Sequence, residues 1–66
     1  MARLREGGRE EKLAFLLRQV RRFRWGIRER ELAEELGWKR RTVNNYLHEL
    51  ERDGKVYREG RSWFAR

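Results

Sequence analysis

A chain of 66 residues with no cysteine and a single histidine, His48, has to hold itself together by packing alone. Below roughly 70–80 residues a core rarely supplies more than about 3–5 kcal/mol, and small domains usually add disulfides, a metal, self-association or very regular helices. The missing cysteines remove the first device, and one histidine cannot build the Cys/His set of a structural zinc site. Regular helices and self-association remain. The length sets one domain. The longest apolar run, Leu13–Leu17, is far short of the ~20 residues of a membrane span or the roughly 7–15 of a signal-peptide core. A soluble, cytoplasmic protein with no membrane partner is therefore expected.

The reactive inventory is equally thin. Ser62, Thr42, His48, Asp53 and scattered glutamates supply no arrangement of nucleophile, base and orienting group. So short a chain also has little volume for a small-molecule pocket. Neither an enzyme, nor a cofactor, nor a bound metal, nor a small-molecule ligand is expected. What the chain does have is charge: 18 Lys and Arg against 11 Asp and Glu, a net +7, which calls for an acidic partner.

Along the chain, residues 1–9 carry Arg3, Arg5 and Arg9 around Gly7-Gly8 and are expected to form a flexible basic N-terminal arm, with the folded domain over 10–66. From Glu10 to about Phe23, Leu13, Leu16, Leu17 and Val20 recur at helical spacing and predict helix 1. Phe23, Trp25 and Ile27 alternate with Arg24, Gly26 and Arg28, the period of a short extended segment, with Trp25 and Ile27 expected to close the core. Residues 28–36 place Leu32, Ala33 and Leu36 on one helical face, and Gly37 stands where the helix should stop. A third helical segment runs from Lys39 to Asp53, with Val43, Tyr46, Leu47 and Leu50 on one face and Gly54 as its stop. Residues 55–58 and 61–64, around Glu59-Gly60, then read as two short strands joined by a turn, with Trp63 across from Val56 and in the core. The expected class is mainly α with a small β-hairpin.

In the segment 29–50, ERELAEELGWKRRTVNNYLHEL, Ala33 is small where two helices approach, Gly37 permits the tight turn, and Trp38 and Val43 bury the corner. With helix 1 before it and the hairpin behind it, the chain resembles the winged helix-turn-helix family of DNA-binding regulators over about residues 10–65. The resemblance implies three helices and a C-terminal two-stranded wing, double-stranded DNA as partner, a recognition helix over about 39–53 in the major groove, and a wing over 55–65 at the backbone or minor groove.

The helix 3 surface bears on that expectation. Opposite the stripe of Val43, Leu47 and Leu50 lie Arg41, Asn45, His48 and Arg52, flanked by Arg40 and Asn44. Arginine suits guanine and asparagine suits adenine. The other reading of the same face is ordinary solvation. Lys39, Arg40 and Arg41 sit at the positive end of the helix dipole, with Glu49, Glu51 and Asp53 near its negative end, and no usual N-cap residue precedes them. A phosphate docked at that helix start would offset the conflict. The DNA-binding set expected on the recognition helix is Lys39, Arg40, Arg41, Thr42, Asn44, Asn45, His48 and Arg52, and on the wing Lys55, Arg58 and Arg61. For the wing arginines the competing role is protection of an edge strand by charge. Tyr46 either packs against helix 2 or stacks on a base.

Three functional readings compete. The first is a transcription regulator binding two half-sites as a homodimer. Phe15, on the outer face of helix 1 beside Arg18 and Arg22, marks helix 1 as the candidate dimer surface. The second is a low-specificity chromatin or architectural binder, nucleoid-associated in a prokaryote, in which the arginines serve phosphates alone. Within it, the segment 40–44 and Trp63 are similar to the Z-alpha winged helix domains, but His48 stands where that family has tyrosine and the wing has no proline. The third is a winged helix that docks on protein. By segment the charge is +6 over residues 1–28, −3 over 29–36, +3 over 37–48, −2 over 49–54 and +3 over 55–66. The largest block, which includes Arg18, Arg21, Arg22 and Arg24, either extends the DNA surface or is a solvated face.

Overall fold

The computed structural model describes residues 2–66, with side chains described from Gly8 onward. Its elements in order are α1 (Ala2–Arg22), β1 (Ile27–Arg28), α2 (Glu29–Leu36), α3 (Arg40–Arg52), β2 (Val56–Glu59) and β3 (Ser62–Ala65). Among the described residues, no helix is long and apolar enough to cross a membrane.

The helices form where apolar spacing calls for them. The face of α1 buries Leu16 and Val20 and half-buries Leu13 and Leu17. Its start differs from expectation. The helix begins at Ala2 rather than Glu10, and the backbone stays helical through Gly7-Gly8, since glycine costs a helix roughly 1 kcal/mol without forbidding it. Arg9, expected in a free arm, pairs with Glu49 of α3. That contact also gives a cation to one of the acids placed at the wrong end of α3's dipole.

Between α1 and α2 the structure corrects the reading of an extended segment. Only Ile27–Arg28 is strand; residues 24–25 form a turn, closed by the Gly26 N–H donating to the Phe23 carbonyl at 2.8 Å. Gly26 has φ +94°, and a Cβ there would stand 2.7 Å from the Phe64 ring. The chain reverses through a conformation only glycine takes easily. Ile27 therefore enters the core while Trp25 is thrown out, 92% exposed.

Helix α2 ends as expected at Gly37, whose φ of +69° lets the Trp38 N–H donate back to the Ala33 carbonyl at 3.0 Å. Trp38 then fills the corner, 6.0 Å from the Phe15 ring and edge-on to Tyr46 at 6.1 Å. Tyr46 thus packs at the α2–α3 corner. Phe15 has a partner within its own chain, Trp38, and the Arg18 guanidinium lies 5.8 Å over the Phe15 ring centre as a cation on the aromatic face.

The sheet has three strands, in the order β1-β3-β2, all antiparallel. The hairpin turn is Gly60-Arg61, one residue later than expected, so Trp63 faces Arg58 and not Val56. Ile27, Trp63 and Val56 line the inner face with Leu16, Val20, Leu32, Ala33, Val43, Leu47 and Leu50 behind them, and these are the buried core among the described residues, with Leu13, Leu17, Phe23, Leu36, Trp38, Tyr46 and Ala65 packed against it. Trp63, 1% exposed, is its largest member.

Candidate nucleic-acid interface

The N-terminus of α3 is presented without a side-chain cap: Lys39 holds the cap position in extended backbone, and its side chain makes no capping bond. The first N–H groups of a helix have no partner within it, and the residues at this helix start, Lys39, Arg40 and Arg41, are all exposed. Further along the same face, Asn45 and Arg52 are exposed as well.

The remaining expected residues on α3 are engaged within the chain. Asn44 is half-buried, and its Nδ2 donates to Glu29 Oε1 at 2.8 Å. The other oxygen of Glu29 lies 3.6 Å from Arg40 Nε. One carboxylate on the first turn of α2 thus ties α3 to α2. His48 is half-exposed, stands edge-on to Trp63 at 5.6 Å between ring centres, and has its Nδ1 3.3 Å from Glu51 Oε1. Thr42 is half-buried.

On the wing, the Arg58 guanidinium lies 5.6 Å over the Trp63 ring, so the core tryptophan supports it from beneath. Arg61 is exposed in the turn. Lys55 is exposed at the base of the hairpin, where its N–H donates to the Leu50 carbonyl at 2.9 Å.

Between the start of α2, the start of α3 and the wing tip lies an open groove of about 290 Å³, into which Arg28, Arg30, Arg40, Arg58 and Arg61 converge, with Trp63 at its base and Glu29 and Glu31 as the acidic groups. The groove brings together Arg40, Arg58 and Arg61 from the expected set. Arg41, Asn45, His48, Arg52 and Lys55 lie outside it. Arg28 and Arg30 were missed: they belong to a two-residue strand and to an acidic helix, and nothing in their spacing points to the wing. Five arginines lining one concave surface have the chemistry to bind polyanionic oxygen ligands.

Two helices joined by a glycine turn, a third helix ahead of them and an antiparallel hairpin behind define a winged helix. Residues 26–57 match the family described as winged helix-turn-helix DNA-binding, and this segment belongs to it. The match takes in β1, α2 and α3 and ends within β2, leaving α1 outside. No curated protein and no solved structure matches the chain.

Proposed function

We propose that the protein is a transcription regulator that lays α3 in the major groove of duplex DNA and seats phosphates in the arginine groove beside it. The observation that carries this reading is the convergence of Arg28, Arg30, Arg40, Arg58 and Arg61 next to the uncapped start of α3. Phosphate contacts position a protein, and base edges are read by side chains in the groove. Arg41, Asn45 and Arg52 are the free candidates for base contact, since each is exposed. Asn44 instead holds Glu29 and is assigned a positioning role. Lys39 and Lys55 extend the backbone contact on either side. The chain acts without catalysis, in keeping with its family, at the DNA of the cytoplasm, and two copies paired through α1 would bind two half-sites.

One observation favours the low-specificity alternative: Asn44 and His48, two side chains able to read bases, lie against Glu29 and Glu51. Selection of bound duplexes from a random pool, at fixed salt, separates the two readings. The regulator yields an enriched sequence that Arg41→Ala combined with Asn45→Ala abolishes; an unenriched pool assigns the architectural role.

A further inference from the structure

A second cationic surface lies on the outer face of the sheet and shares no residue with the groove of Arg40, Arg58 and Arg61. Tyr57 and Phe64, paired across β2 and β3, stack with ring centres 5.3 Å apart and planes 15° from parallel. The Arg66 guanidinium lies 4.9 Å over the Tyr57 ring. At the far end of this pile of planar groups, the backbone of Gly26 abuts the Phe64 ring, and the residue before it is Trp25, 92% exposed. A concavity of about 330 Å³ beside the stack is lined by Arg21, Arg24 and Arg66 together with Phe23, Tyr57 and Phe64, and by no acidic side chain.

We infer that this face binds single-stranded nucleic acid, with a base stacked on Trp25 and phosphates held by Arg21, Arg24 and Arg66. The indole of the turn is left in solvent, where it gains nothing from the fold, and Arg24, which lines the neighbouring concavity, precedes it in the chain. A second copy is a poor occupant of this concavity, because a two-fold contact here would press Arg21, Arg24 and Arg66 of one chain against the same arginines of the other. Duplex DNA would use the arginines but not the indole, since its base faces are already stacked. An unpaired strand offers both an anionic backbone and free base faces, and stacking on aromatic side chains is sequence-tolerant. The surface also gives a use to arginines of the most basic block of the chain, and it stands whether or not α3 reads duplex sequence.

The test is fluorescence anisotropy of the whole chain with a labelled oligothymidylate and, in parallel, with a labelled duplex at the same salt. Trp25→Ala is expected to weaken oligothymidylate binding by between about fivefold and a hundredfold, the range for loss of one stacked base, with duplex binding changed less than twofold. Arg24→Ala combined with Arg66→Ala is expected to do the same, and Trp25→Phe to restore most of the loss. All three variants change exposed side chains, and thermal melts confirm that each is folded. The inference is overturned if the wild-type chain does not bind oligothymidylate, if Trp25→Ala leaves that binding unchanged, if strand and duplex binding fall together, or if polyglutamate competes as well as oligothymidylate does.

Discussion

Glu29→Gln should make the protein less stable and a tighter binder of DNA. In the native chain the Glu29 carboxylate accepts a hydrogen bond from Asn44 at 2.8 Å while only 21% exposed, and lies 3.6 Å from Arg40 Nε. A hydrogen bond to a charged group contributes roughly 1.5–3 kcal/mol, against about 0.5–1.5 for a neutral one, so neutralising Glu29 costs about 1–1.5 kcal/mol at that contact. The Arg40 contact adds little, because that side chain is 63% exposed and such pairs are worth ~0–1 kcal/mol. Loss of an acidic group from the first turn of α2 adds roughly 0.3–1 kcal/mol. A total of about 1.3–2.5 kcal/mol corresponds to a fall in Tm of roughly 5–20 °C for a chain of this size. Removing the carboxylate also frees Arg40 and takes a negative charge out of the groove. The assay pairs thermal unfolding by circular dichroism with duplex binding by anisotropy across a salt series. The reasoning is refuted if Tm is unchanged, or if affinity for duplex falls while the variant remains folded.

Other substitutions probe separate parts of the structure. Gly26→Ala puts a Cβ 2.7 Å from the Phe64 ring at φ +94° and is expected to cost ~2–4 kcal/mol, read as a lowered urea midpoint; a midpoint within error of wild type would remove the close approach from the account. Trp63→Ala empties the centre of the core at a cost of about 3–5 kcal/mol, as much as so small a core supplies, and should leave the chain unfolded at 25 °C by near-ultraviolet circular dichroism. Arg41→Ala with Asn45→Ala is expected to flatten sequence preference while leaving affinity for random duplex within a fewfold, which competition binding measures. Sedimentation equilibrium of the wild-type chain at high micromolar concentration checks pairing through α1: an 8.2 kDa species would exclude it.

How much could be read in advance depended on how local each cause was. The three helices and the hairpin follow from apolar residues three and four apart or two apart, and Gly37 marked its stop because a left-handed residue is a local need. Trp25 misled because Phe23, Trp25 and Ile27 alternate as a strand would. What decides between strand and turn is the Phe64 ring packed where a Cβ at Gly26 would stand, a contact between residues far apart in the chain. Strand β1 is too short to show a period. The hairpin shifted by one residue because glycine turns are ambiguous: Glu59-Gly60 and Gly60-Arg61 both fit, and both put Trp63 on the face of Val56, so the local pattern of apolar residues does not choose between them. On the candidate interface, the exposure of Arg41, Asn45 and Arg52 was legible from the helical wheel. The contribution of Arg28 and Arg30 and the hold of Glu29 on Asn44 were not, because they arise from the way α2 and β1 are set against α3 and the wing.

The central claim is that the groove between α3 and the wing seats phosphates. It is tested most directly by the salt dependence of duplex binding for wild type and for the triple variant Arg40→Ala, Arg58→Ala, Arg61→Ala. Each phosphate neutralised contributes about 0.9 to the slope of log K against log salt concentration. The triple variant, still folded, is predicted to have a slope shallower by roughly 2–3. A folded variant with the wild-type slope would contradict the account.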